Sequence, residues 1–320
     1  MNIKTADVLI IGSGGMALEY LKVLNSLNKS VDIIGRGDKK LNDLKKIYPQ
    51  YNYYSGGLGK YLDKNPKLPK FVINTVNIEY LGSTSIMLLD YGVENLLIEK
   101  PGDLSKEGLL NIHNSAIKKD SRVFIAYNRR FYTSILDLIS ETKKDGGITS
   151  INFEFTEWAH TFGPDTHSLK ALNKWVLSNS SHVIDTVFYL IGEPKKLSSY
   201  VNGVNNIEWH PSGSIFTGSG ISILNIPFTY HSNWNGPGRW AIEVITNKRR
   251  FYLKPMEKLH VQEIGSVALH DFKIDDALDI SFKPGLYLQT KAFLDLKKQR
   301  LQTIENQINV MKFYEEMAGY

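Results

Sequence analysis

The sequence predicts two domains, an α/β domain with a parallel sheet and then an α+β domain with an antiparallel sheet. Three observations lead there. Up to residue 126, short apolar runs alternate with helix-like patterns, the rhythm of βα units. The first run ends in a glycine turn that opens a helix. From residue 150 onward the pattern becomes long alternating strands punctuated by Gly and Pro. At 320 residues the chain is also long for one core. The expected division is residues 1–126 and 127–320.

Val8–Ile11 is apolar throughout, the mark of a strand buried on both faces. Gly12 and Gly14 turn the chain into a helix whose Ala17, Leu18, Leu21 and Leu24 fall at helical spacing. This is the pattern G-x-G-x-x-A of a Rossmann dinucleotide site. Its glycines permit the turn and the close approach of a pyrophosphate to the positive end of the helix. Gly12, Ser13, Gly14, Gly15 and Met16 are therefore candidate cofactor contacts. The rival reading is a glycine-rich turn without a ligand.

The next strand, Val31–Ile34, ends at Gly35-Arg36-Gly37-Asp38. NAD sites usually place an Asp or Glu about 20 residues past the fingerprint to hold the ribose hydroxyls. Arg36 instead suits a 2′-phosphate and can stack on adenine, which favours NADP over NAD. Asp38 keeps NAD open, and an ordinary loop arginine is the plain alternative. The series continues with a helix over Leu41–Tyr48, a strand over Lys70–Thr75, a helix over Tyr80–Tyr91 and a strand over Glu94–Ile98. A helix over Leu104–Ile117, with Asp103 as its expected cap, and a strand over Arg122–Ala126 close the first domain.

In the second domain a helix over Tyr132–Lys144 leads into strands with Ile151, Phe153 and Phe155 on one face and Asn152, Glu154 and Thr156 on the other. Residues 197–282 read as an antiparallel sheet. Phe228, Tyr230, Trp234 and Trp240 are expected to give it an exposed apolar face, through which the chain would form a homodimer or homotetramer. Helices over Leu286–Leu296 and Thr303–Met317 close the chain.

Composition narrows the function classes. There is no cysteine, which excludes disulfides, thiolate metal sites and cysteine nucleophiles, and no metal site is expected. The N-terminus lacks a secretory pattern, and no apolar run approaches the roughly 20 residues of a membrane span, so a cytoplasmic protein is expected. The net charge of +5 suits an anionic small molecule. Nucleic acid is not expected, because the lysines are scattered and the densest clusters are only Arg129-Arg130 and Lys248-Arg249-Arg250.

Open α/β sheets bind ligands beyond the carboxyl ends of their strands. Three stretches lie there. Thr75 and Asn77, in Asn74-Thr75-Val76-Asn77, are placed for ribose and nicotinamide. In Glu99-Lys100-Pro101-Gly102, Lys100 is a cation aimed by the following proline, able to hold a substrate hydroxyl and ease its deprotonation; the alternative is a solvated charge before a turn. In Tyr127-Asn128-Arg129-Arg130-Phe131, Arg129 and Arg130 either meet a phosphate or carboxylate of the substrate or form an interdomain ion pair. A fourth stretch is the helix Ser181–Ile191, where His182, Asp185, Thr186 and Tyr189 share a narrow arc, joined by Ser178 if the helix starts early. Such an arc reads as the wall of a polar pocket. His182 suits proton transfer near neutrality, with Asp185 orienting it or holding a second hydroxyl; a structural histidine is the alternative.

With Gly12-x-Gly14-x-x-Ala17, Glu99-Lys100-Pro101, Tyr127-Asn128-Arg129-Arg130 and His182-x-x-Asp185 ahead of Tyr189-Leu190-Ile191-Gly192, the chain resembles the glucose–fructose oxidoreductase/inositol dehydrogenase/rhizopine-catabolism (Gfo/Idh/MocA) family. The resemblance implies a Rossmann domain joined to an α+β domain with a large, mostly antiparallel sheet. It implies hydride transfer between NAD(P) and a sugar, cyclitol or nucleotide-sugar carbon, with Lys100 binding substrate and cofactor and His182 as the acid/base. There are two departures: Ser178 stands where many members carry an aspartate, and the usual Thr-Pro-x-x-x-His segment is Thr75-Val76-Asn77-Ile78-Glu79-Tyr80. They point to an unusual substrate or a divergent subgroup. A reductase of a non-sugar compound and a catalytically silent NADP-binding regulator are the rival expectations.

Overall fold

The apolar run Val8–Ile11 forms a strand, β1, without exposed surface on any of its first three residues. The computed structural model describes residues 5–320, which fall into two compact units. The first contains the described residues up to Ala126 together with Leu286–Asn309; the second contains Tyr127–Gly285 and Val310–Tyr320.

In the first unit β1 lies between β2 (Val31–Ile34) and β4 (Phe71–Asn74); β3 (Asn52–Tyr54) flanks β2, and β5 (Asn95–Glu99) and β6 (Arg122–Ala126) extend the other side. All six are parallel. The order reverses between β1 and β4, the switch point where such sheets open a crevice. Strand β3 and the short helix Gly57–Leu62 were not foreseen. Asn52-Tyr53-Tyr54 is too short and polar for an apolar run, and Gly56-Gly57 reads as loop. The helix Lys106–Lys118 is capped by Ser105 instead of Asp103. The Ser105 hydroxyl accepts the Gly108 N–H at 3.0 Å, while Asp103 accepts the N–H and hydroxyl of Ser105.

Residues 286–309, expected with the second domain, lie in the first unit. Phe293, fully buried, sets its ring edge-on to Phe71 and Phe124 at 5.4 and 6.2 Å. The strand Gln302–Thr303 pairs antiparallel with β6 and covers that edge of the sheet. No helix among the described residues is long and apolar enough to cross a membrane.

The second unit holds eight strands: β7 (Ser150–Glu154), β8 (Pro194–Asn202), β9 (Ile215–Ser222), β10 (Pro227–Asn233), β11 (Ala241–Ile245), β12 (Arg249–Leu253), β13 (His260–Glu263) and β14 (His270–Asp271). Their order is β14-β13-β12-β11-β7-β10-β9-β8, antiparallel except for β7 with β10. Ile151, Phe153 and Phe155 are buried as their alternation requires, and the helix Ser181–Ile191, whose Val183, Ile184 and Val187 are also buried, packs against β7. The expected exposed aromatic face is not formed: Phe228, Tyr230, Trp234 and Trp240 are all buried. Phe228 and Tyr230 pack on Phe153, and the outward residues of the same strands are Asn152, Thr229 and His231.

His210 ties β9 to the end of the chain. Its Nδ1–H donates to the Gly213 carbonyl at 2.8 Å, and the Tyr320 hydroxyl meets its Nε2 at 2.7 Å while accepting the Val176 N–H. Burial lowers the imidazole pKa to about 4, so it is neutral in the fold. Unfolding frees it to bind a proton below its ordinary value of 6.5, so stability is complete above that pH and falls as the pH drops toward 4. The loss should approach roughly 3 kcal/mol. Urea midpoints measured from pH 7 to 4 should fall more steeply for this chain than for His210→Asn, and equal slopes would contradict it.

Candidate functional site

The crevice at the carboxyl ends of β1, β2 and β4 is a cavity of about 730 Å³ walled by Gly12, Ser13, Gly14, Arg36, Thr75 and Asn77. Thr75 donates both its N–H and its hydroxyl to the Ile11 carbonyl, at 2.7 and 2.9 Å, and so closes over the turn. Gly12 has φ +113°, and a Cβ there would lie 2.6 Å from the Thr75 hydroxyl, so no other residue fits. At Gly14 and Gly15 an added Cβ would meet nothing. The helix Gly15–Ser26 starts without a side-chain cap and without an acidic residue in its first turn. Its first N–H groups therefore remain open to an anion. This cradle fits a dinucleotide pyrophosphate, with Gly15 and Met16 opening the helix beside it.

At the end of β2, the exposed Arg36 guanidinium lies 5.3 Å from the centre of the Tyr80 ring, and both line the cavity. Tyr80 and the Gly56-Gly57 turn were not foreseen as cavity walls. Asp38 is the first residue of the helix Asp38–Ile47.

Glu99 ends β5, and Lys100 follows it. The buried Tyr20 hydroxyl donates to Glu99 Oε1 at 3.0 Å, and burial, reinforced by the Glu99 charge, keeps the phenol protonated. Glu99 thus fastens the first helix to β5. Lys100 stands half-buried in the turn that follows, before a cis Pro101.

In the second unit His182 is 7% exposed on the helix Ser181–Ile191. The Tyr127 ring stands perpendicular to it at 5.7 Å, and Trp240 lies at 6.1 Å. Asp185 pairs with Arg130. Its two oxygens accept Nε and Nη2 of Arg130 at 2.7 and 2.6 Å. Burial opposes the charge on Arg130, but the Asp185 carboxylate outweighs it and holds the guanidinium above its ordinary value. Arg130 is therefore an ion-pair partner within its own unit, stacked 4.9 Å from the centre of the Tyr189 ring. Thr186 turns its hydroxyl back to the His182 carbonyl. Ser178 lies in a π-helical turn, Val176–Ser180, just before the helix, and donates its hydroxyl to the Ala171 carbonyl at 2.8 Å.

Arg129 points elsewhere. Its guanidinium lies 4.5 Å from the centre of Trp240, and Arg239 lies 4.7 Å from the same ring. Glu157, with no exposed surface, accepts from Asn179 and Ser180 at 2.7–3.1 Å and from Arg239 at 3.4 Å. Arg239, Glu157 and Asn179 were missed, since nothing in their spacing singles them out.

No protein-family model matches the sequence, and no curated protein matches it. Solved structures do. The super-repressor mutant of Gal80p from Saccharomyces cerevisiae is 11% identical over 98% of this chain and 95% of its own, with a TM-score of 0.79. The WlbA dehydrogenase from Chromobacterium violaceum, in complex with NADH and UDP-GlcNAcA, is 14% identical over 99% and 94%, with a TM-score of 0.72. The UDP-N-acetylglucosamine 3-dehydrogenase GnnA from Acidithiobacillus ferrooxidans is 12% identical over 99% and 98%, with a TM-score of 0.73. At these identities the likeness is one of fold. The chain has the two-domain fold of Gfo/Idh/MocA-type oxidoreductases.

Proposed function

We propose that this chain is an NAD(P)-dependent oxidoreductase acting on a hydroxyl or keto carbon of a sugar, cyclitol or sugar derivative. The observation that carries the reading is the cradle at Gly12–Gly15, where a glycine that admits no side chain and an uncapped helix end suit a pyrophosphate. Two of the fold's neighbours, WlbA and GnnA, are dehydrogenases, and WlbA was solved with NADH. Bound there, the nicotinamide would supply the hydride acceptor or donor. Lys100 holds the substrate oxygen and stabilises negative charge that develops on it. His182 takes the hydroxyl proton in oxidation and returns it in reduction.

Arg36 selects NADP. Its exposed guanidinium at the end of β2 binds a 2′-phosphate, while its plane and the Tyr80 ring offer faces for adenine. Arg36→Ala should weaken NADPH binding about 10- to 100-fold, as expected for loss of a charged hydrogen-bonding partner, and change NADH binding less than threefold. Titration of each cofactor against protein fluorescence measures both. Equal losses for the two cofactors would remove the preference and leave the oxidoreductase reading intact. A second reading, a cofactor-binding regulator without catalysis, draws on Ser178 at the place of the family's aspartate and on the fold shared with Gal80p. It requires tight NADPH binding with no turnover of any sugar.

A further inference from the structure

We propose that the substrate carries an oxyanion, a carboxylate or phosphate attached to the sugar, and that Arg129 and Arg239 bind it beside His182. The proposal rests on the oxidoreductase reading and gives its substrate class. Two cations share one aromatic ring: both guanidiniums lie within 4.7 Å of the centre of Trp240, and the His182 ring lies 6.1 Å from the same centre.

The counter-charge is short. Among the described residues no carboxylate comes within ion-pair distance of Arg129, in contrast to its neighbour Arg130, which Asp185 grips through two bonds. Among the described residues, Glu157 is the carboxylate in ion-pair contact with Arg239, at 3.4 Å, and it is already bonded at shorter range by Ser180 and Asn179. Burial, together with the charge of Arg239, presses the Arg129 guanidinium below its ordinary value, while Tyr132, Glu257 and Glu157 oppose this. Two like charges held together in this way lose repulsion when an anion binds. Arg239 also stays accessible, with 39% of its side chain exposed.

The planar forks of the two arginines match a carboxylate or phosphate. Trp240 and Trp158, both under the Arg239 guanidinium, hold that fork in place. Neutral sugars have no group that uses this charge. Arg239 and Arg129 therefore act on substrate choice, and the proton chemistry stays with His182.

The test uses the full chain saturated with NADPH, or with its oxidised form, and matched sugars: neutral hexoses, the corresponding uronic acids and the corresponding hexose 6-phosphates. Binding is read by calorimetry and turnover by absorbance at 340 nm. The acidic members should bind at least tenfold more tightly than the neutral ones, and the uronate and phosphate arms identify which oxyanion is meant. Arg239→Ala should weaken binding of the acidic member about 10- to 100-fold, with the loss in KM exceeding that in kcat. Arg239→Lys should recover part of it, and unchanged thermal melting certifies the fold. Acidic sugars that bind without turning over would support the oxyanion site and sink catalysis. Neutral and acidic sugars of equal affinity, no binding by any member, or full affinity in Arg239→Ala would overturn the proposal; turnover of neutral sugars would then leave the oxidoreductase reading standing.

Discussion

Lys100→Ala and His182→Ala should each lower kcat/KM by about a hundredfold to ten-thousandfold while leaving NADPH affinity within about threefold. Lys100 follows directly on β5, so its Cα is fixed by a central strand of a buried sheet. His182 is held in the second unit between Tyr127 and Trp240. Neither side chain belongs to the glycine cradle, which is why chemistry and cofactor binding should separate. Turnover with a reactive sugar, followed at 340 nm, and fluorescence titration of NADPH give the two halves of the result. His182→Ala should also flatten the pH dependence of kcat. Wild-type turnover in either variant would remove that residue from the reaction.

The largest effect on stability should come from Arg130→Ala. Asp185 is 1% exposed, and removing its partner leaves a carboxylate buried without a counter-charge. Breaking a buried pair in this way costs about 3–5 kcal/mol. Urea unfolding should show that loss, and Asp185→Leu combined with Arg130→Met should recover much of it, because no charge then remains to bury. A loss below about 1 kcal/mol in Arg130→Ala would mean that the pair is not carrying the packing between the Asn128–Phe131 turn and the helix.

What the sequence made legible follows from the range of the interactions concerned. Val8–Ile11, the Gly12 turn and the helix Ser181–Ile191 are local: a buried run, a strand-to-helix bend and a 3.6-residue period are written in adjacent residues. The partners of Asp185 and Arg129 are not. Asp185 sits on the expected helix, but it is taken by Arg130, 55 positions earlier, and Arg129 by Trp240, more than a hundred positions later. Phe228 and Tyr230 alternate along β10 as expected, yet alternation alone does not say which face is covered. Strand β3 escaped because a three-residue strand beside a double glycine has almost no pattern to show.

The return of residues 286–309 to the first unit has a consequence for how the protein is made. A chain growing from the ribosome has all six parallel strands once residue 126 has emerged, but at that moment β6 is a bare edge and the rings of Phe71 and Phe124 lack Phe293. The missing strand and helix arrive only after the entire eight-stranded sheet has been synthesised. The first unit is thus first to start and among the last to finish, and until then the β6 edge is open to pairing with another chain.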